Sequence, residues 1–170
     1  HSELKILTHF DSHQLSLPAE YYPSIFYINE LLLYLLPKHE EQVLLFQLYQ
    51  NLLIELTHQN VQLEAVLRNF EIELLTELGY MPDLNFDSNS GLVMQDEQRY
   101  GFDEISGLIP ANVEVINSFT SYELKAINNR QFESVDILRA AKRLMRQIIH
   151  INLQGRTLQS RKFYQQMKKK

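Results

Sequence analysis

Four cations stand close together at spacings that a helix would bring to a single face: Arg139, Lys142, Arg143 and Arg146. At 100° per residue, with Arg139 at zero, Arg143 falls at about +40°, Arg146 at about −20° and Lys142 at about −60°, a stripe roughly 100° wide. Leu144, Ala141, Ile148, Met145 and Ile151 fall on the far side, between about 120° and 240°. One face can pack while the other offers four positive charges. Like charges at these spacings repel by a few tenths of a kcal/mol per pair, roughly 0.2–0.5, and the segment holds one carboxylate of its own, Asp136. An anion that relieves the repulsion suits the stripe. The plainer alternative is a solvated helix with local Glu partners. Downstream, Arg156, Arg161, Lys162 and the terminal Lys168-Lys169-Lys170 add charge, with Phe163 and Tyr164 interleaved. Basic groups beside aromatics suit single strands, whose bases can stack. The simpler role for Phe163 is to anchor a last helix to the core.

Other chemistry is poorly served. His9-Phe-Asp11-Ser-His13 has metal-ligating residue types without a supporting cluster. Asp83-Leu-Asn85-Phe-Asp87 resembles the start of a calcium loop, but Ser88 and Met94 stand where that loop needs Gly and Glu. No phosphate-cradling Gly-Lys-Ser/Thr loop, dinucleotide glycine fingerprint or nucleophilic Ser elbow occurs. Glu71, Glu73 and Glu77 read as a solvated helix face. The chain contains no cysteine, which excludes disulfides and thiolate metal sites and agrees with a reducing compartment. No enzyme activity, metal or cofactor is expected.

The elements that must position the stripe are helices. Leu and Ile dominate an apolar fraction of 45%, with five Gly and five Pro in 170 residues, a composition that favours a mostly α globular fold. Pro23 can open a first helix, apolar nearly all round over Ile25–Leu36 and therefore expected to be central. Pro37 ends it. A second helix is expected over about Glu40–Thr57, with Leu44, Leu48, Leu52 and Leu56 on its inner face. A third, over about Gln62–Leu78, turns Leu63, Val66, Leu67, Phe70, Leu74 and Leu78 inward, and Gly79 closes it. Residues 83–117, punctuated by Gly91, Gly101, Gly107 and Pro110, predict one or two small hairpins or an irregular insertion. Thr120 with Glu123 forms a capping box for a short helix to about Asn128. Ser134 caps the basic helix, about Val135–Asn152, and Gly155 breaks it. Ser160 can cap a last helix to about Met167.

Charge is divided sharply along this order. Residues 1–120 carry four basic and 18 acidic residues, a balance of −14, while residues 121–170 carry 12 basic and three acidic, a balance of +9. Such asymmetry points to a polyanion-binding end. Residues 3–17 read as an extended strand. The longest apolar run, Leu31 to Leu36, is too short to span a bilayer. The chain opens on His-Ser-Glu-Leu-Lys without an initiator Met or a signal-peptide pattern, and is expected to be a piece of something longer.

Several segments, taken together, resemble the RecO family of bacterial recombination mediators. They are Tyr27-Ile-Asn-Glu-Leu-Leu32, Leu67-Arg-Asn-Phe-Glu71, Leu74-Leu-Thr-Glu-Leu-Gly-Tyr80, Leu124-Lys-Ala-Ile-Asn128, Leu138-Arg-Ala-Ala-Lys-Arg-Leu-Met-Arg146 and Leu153-Gln-Gly-Arg-Thr-Leu-Gln-Ser-Arg161. The resemblance runs in order over about residues 20–168. It implies that residues 1–20 are the remnant of the last strand of an upstream OB-fold, an oligonucleotide-binding barrel, plus a linker. Residues 21–170 would be the helical domain, with 83–117 its insertion and 118–170 its basic end. It implies a cytoplasmic, nucleoid-associated protein of DNA repair and recombination that binds single- and double-stranded DNA and anneals strands. With RecR it would load RecA onto strands coated by single-strand-binding protein (SSB), RecA and RecF being indirect partners. The resemblance also implies contact with the acidic, apolar C-terminal tail of SSB, so the basic residues could serve as a protein-interaction module while DNA binding resides mainly in the OB-fold. Many relatives carry a four-Cys zinc module in the insertion. Without cysteine in 83–117, zinc is not expected here. Gln154 replaces the family's usual Gly, which makes that turn less flexible, and Gln159 often replaces a basic residue.

Overall fold

A computed structural model of the chain describes residues 16–38, 40–111 and 117–160. After a 3-10 turn, Ala19–Tyr21, come α1 (Tyr22–Leu35), α2 (Val43–Glu55) and α3 (Leu63–Glu77). A small sheet of β1 (Arg99–Asp103), β2 (Gly107–Ala111) and β3 (Phe119–Thr120) leads into α4 (Ser121–Asn128) and α5 (Val135–Asn152). The mostly helical architecture and the hairpin in the insertion are as expected. The strand expected over residues 3–17 and the helix expected beyond Ser160 fall almost wholly outside the described residues, as do His9, Asp11 and His13. No helix among the described residues is long and apolar enough to cross a membrane.

The central helix is α3. It buries Val66, Leu67, Phe70, Ile72, Leu74 and Leu75, and with them Arg68 and Glu71, and it packs against α2 and α5. The expectation that α1 would be central is overturned. Ile28, Leu31 and Leu35 line one buried face, but Phe26 is 57% and Leu33 73% exposed. An apolar helix need not be enclosed, and here continuous hydrophobicity concealed a one-sided helix.

The inner face of α2 is also corrected. Residues four apart advance 40° per step, so Leu44, Leu48, Leu52 and Leu56 sweep through about 120° rather than lining a row. Leu52 and Leu56 are buried and Leu45 joins them, while Leu44 points outward and is exposed.

The insertion supplies the hairpin β1-β2 of a three-stranded antiparallel sheet in the order β2-β1-β3, whose third strand directly follows it. Tyr100 on β1 pairs with Pro110 and Phe119. Pro110 lacks an N–H and lies on an edge strand, where none is required. Hydrogen bonds tie the sheet to the helical part. Arg99 donates from Nε to Ser118 Oγ (2.7 Å) and from Nη2 to Ser118 O (2.8 Å). Ser121 donates to Asp96 O, and Lys125 pairs with the Asp96 carboxylate.

Caps place the two C-terminal helices. Thr120 Oγ1 accepts from Glu123 N at 3.1 Å and the Glu123 carboxylate accepts from Thr120 N at 2.8 Å, the expected capping box. Ser134 caps α5 by accepting from Asp136 N. Ala140, Ala141, Leu144, Met145 and Ile148 are fully buried, so the opposite face of α5 is presented to solvent.

Candidate anion-binding face and cleft

That outward face carries Arg139, Lys142, Arg143 and Arg146, all four exposed. Three of them meet carboxylates. Arg139 pairs with Asp136 at 3.2 Å. Lys142 Nζ lies 2.9 Å from Glu64 of α3. Arg143 lies 3.4 Å from Glu123 of α4, with its guanidinium 5.1 Å from the Phe119 ring centroid. A count of carboxylates within α5 therefore underestimated the neutralisation, because Glu64 and Glu123 are brought in by tertiary packing. Exposed pairs of this kind contribute about 0–1 kcal/mol and exchange readily for another anion. Arg146 makes no ion pair among the described residues.

Lys142 and Arg146 stand at the mouth of a cleft of about 350 Å³ between α1, α3 and α5. Pro23, Tyr27, Leu63 and Leu67 give it apolar walls, Glu20 and Glu64 lie on it as well, and Ser160 closes one side. It is also lined by Arg68, a residue the sequence reading passed over. Arg68 is only 5% exposed. Its Nη2 lies 2.9 Å from Glu71 Oε1, the oxygen that also accepts from the Tyr27 hydroxyl at 2.6 Å. Glu71 is therefore not on a solvated face, as expected, but fully buried. Glu73 and Glu77 are exposed. Arg68 Nε has no hydrogen-bond partner among the described residues. A buried cation with a free donor, beside two exposed cations over apolar walls, can hold a ligand with a carboxylate and an apolar side chain. The signal that could have found Arg68 is its rarity, since it is one of four basic residues in the first 120, and it has Glu71 at i+3 for a partner.

Arg156 sits in the turn after α5. Its Nη1 donates to Tyr34 O of α1 at 3.0 Å, and its guanidinium lies 5.7 Å from the Tyr34 ring centroid. It docks the turn on α1 instead of joining the stripe. Arg161 and Lys162 lie outside the described residues. Near Arg156 the chain is held a second time. The Glu30 carboxylate accepts from Gln159 N (2.7 Å), Ser160 N (2.9 Å) and Ser160 Oγ (2.6 Å). Burial pushes this carboxyl up, but these hydrogen bonds and one from Tyr34 outweigh burial and hold it below its ordinary 4.5. A depressed carboxyl stabilises the fold above its unfolded-state value and ceases to do so as pH falls through its folded-state value. Amide-exchange protection at Gln159 and Ser160 should thus hold from neutrality down to the ordinary Glu range and fall only below it, as exchange measured across pH would show.

Gln154 has φ +49°, and Gly155 follows at +81°. A left-handed conformation costs a side-chain-bearing residue about 1 kcal/mol. Gln154→Gly should raise stability by up to about 1 kcal/mol, less the added freedom of the unfolded chain, with urea melts as the check.

Residues 20–162 match the family described as Recombination protein O C terminal, and the chain belongs to this family. Among individual relatives, it is 39% identical over 144 residues to the DNA repair protein RecO of Serratia proteamaculans, covering 85% of this chain and 59% of that protein. It is 37% identical over 163 residues to that of Photobacterium profundum (95% and 69%) and 37% over 139 residues to that of Methylococcus capsulatus (82% and 57%). The chain thus spans about six tenths of the length of these relatives.

Proposed function

We propose that the chain serves DNA repair as a non-catalytic mediator module whose cleft receives the acidic, apolar C-terminal tail of SSB. The observation that carries this is the set of three cations, Arg68, Lys142 and Arg146, around the apolar walls of the cleft. An apolar side chain would occupy the space between Pro23, Tyr27, Leu63 and Leu67. Carboxylates would meet Arg68 below and Lys142 and Arg146 at the mouth, displacing Glu64 from Lys142. Membership in the Recombination protein O family and relatives named DNA repair protein RecO support the setting. In that setting the protein works in the bacterial cytoplasm, at the nucleoid, beside RecR to load RecA onto SSB-coated single strands, with RecF an indirect partner. Peptide titration tests it: a short peptide ending in two aspartates and two apolar residues should bind, and a lysine-for-aspartate version should not.

A second role of the same face is to hold phosphates of single- or double-stranded DNA and so promote annealing. It is favoured by the 73% exposure of the Arg139 side chain, whose partner Asp136 is 84% exposed, so the pair competes weakly with a phosphate. Arg143 adjoins it, and Arg161 and Lys162 would extend it. Arg139→Ala with Arg143→Ala should weaken oligonucleotide binding at low salt and reduce the slope of log affinity against log salt by about 1–2. An unchanged slope in a folded variant would remove the stripe from the DNA site.

A further inference from the structure

An aromatic ring stands in the open beside the cationic stripe. Tyr122 is 70% exposed, the most exposed aromatic among the described residues, and it makes no hydrogen bond or ring contact among them. The other aromatics more than half exposed, Phe26 and Phe46, lie on α1 and α2, which carry no Lys or Arg. Tyr122 lies on α4 between two charged directions. With Tyr122 at zero, Glu123 falls at about +100° and Lys125 at about −60°. Glu123 meets Arg143 of the stripe at 3.4 Å, and Lys125 meets Asp96. The ring is thus flanked by a guanidinium on one side and an ammonium on the other.

A lone exposed aromatic is ordinary on a protein surface. Its place between two cations is what carries chemical meaning. Cations take phosphates, and an exposed ring takes the face of an unpaired base, the combination by which single strands are held. In a duplex those faces are already stacked on neighbouring bases, so the ring has nothing to receive. Both cations can change partners. The side chains of Lys125 and Asp96 are 41% and 85% exposed, and such a pair competes weakly with a phosphate. Glu123 is committed to the cap of α4, where it accepts from Thr120 N at 2.8 Å, and its contact with Arg143 is the longer one. The fully buried Phe119 ring, 5.1 Å from the Arg143 guanidinium, keeps that cation beside α4. We propose that Tyr122 is a base-stacking residue that makes the cationic face prefer single-stranded over double-stranded nucleic acid, with Arg143 and Lys125 taking the phosphates on either side. This rests on the reading of the stripe as a DNA surface.

The full chain is titrated at several salt concentrations with a thymine oligonucleotide, with an abasic strand of the same length and with a duplex. The proteins are wild type, Tyr122→Ala, Tyr122→Phe, Lys125→Ala and the Arg139→Ala/Arg143→Ala double variant. The wild type should bind the thymine strand more tightly than the abasic strand. Tyr122→Ala should weaken the thymine strand about tenfold, the loss expected of one stacked base, and leave the abasic strand and the duplex unchanged. Tyr122→Phe keeps the ring and should bind like the wild type. The slope of log affinity against log salt should stay the same in Tyr122→Ala and fall by about 0.7 in Lys125→Ala, since only the latter removes a phosphate contact. If Tyr122→Ala binds the thymine strand as the wild type does, or weakens all three ligands alike, Tyr122 stacks no base. The stripe then remains a phosphate surface provided that Arg139→Ala/Arg143→Ala weakens binding. If the wild type binds no oligonucleotide, or that double variant binds as the wild type does, the DNA reading of the stripe fails and the proposal with it. Should Tyr122→Ala not fold, Tyr122→Leu decides by the same criteria.

Discussion

Glu71→Ala is expected to lower the stability of the chain by about 3–5 kcal/mol, because removing one partner of a buried pair leaves the other charge uncompensated. Glu71 is fully buried, Arg68 is 5% exposed, and the two are 2.9 Å apart. Tyr27→Phe removes one hydrogen bond to the same carboxylate and should cost about 1 kcal/mol. Replacing both charges together, as Arg68→Met with Glu71→Leu, should recover most of the loss, since apolar residues of similar volume often match or exceed a buried ion pair. Urea unfolding midpoints at neutral pH measure all three. The double variant has a second use. It should be folded yet bind an acidic peptide poorly, which separates the contribution of Arg68 to the fold from its contribution to the cleft. A Glu71→Ala cost under about 1 kcal/mol would mean that water reaches the pair.

The second large effect is on binding. Lys142→Ala with Arg146→Ala should weaken the acidic, apolar peptide on the order of 100-fold, two charge-assisted contacts of about 1.4 kcal/mol each. Stability should hardly change, since both side chains are exposed and only Lys142 is in an ion pair among the described residues. Glu64→Gln should act in the opposite direction. It frees Lys142 from the carboxylate 2.9 Å away, and peptide affinity should rise about threefold, the equivalent of a weak surface pair. Calorimetric titration at two salt concentrations distinguishes these outcomes. Equal weakening by Glu64→Gln and Lys142→Ala would show that Glu64 contacts the ligand and not merely Lys142.

Much of this arrangement can be read in the sequence where the determinants are local. The capping box at Thr120 and Glu123, the Ser134 cap and the division of α5 into a packed and a cationic face depend on residues within a turn or two of each other, and all are found as expected. The hairpin between Gly101 and Pro110 followed from its punctuation. What could not be read depends on contacts across the chain. The partners of Lys142 and Arg143 come from α3 and α4. Glu71 looked like a surface charge and Arg68 drew no attention, because helical periodicity alone does not place a buried pair. The drift of the four-residue ladder in α2 and the one-sidedness of α1 show the same limit, since hydrophobicity says which residues can be buried and neighbours decide which are. The cleft itself needs α1, α3 and α5 together, and no single segment of the sequence encodes it.

The most direct test of the central claim is a parallel titration of the folded chain with the acidic, apolar peptide and with a single-stranded oligonucleotide, repeated with Arg68→Met/Glu71→Leu and with Lys142→Ala/Arg146→Ala. Saturable binding of the peptide by the wild type, lost in both double variants, is the predicted result. Absence of peptide binding by the folded wild type, or peptide binding that survives both double variants, would contradict it. In that case oligonucleotide binding that depends on Arg139 and Arg143 would leave the stripe, and not the cleft, as the functional surface.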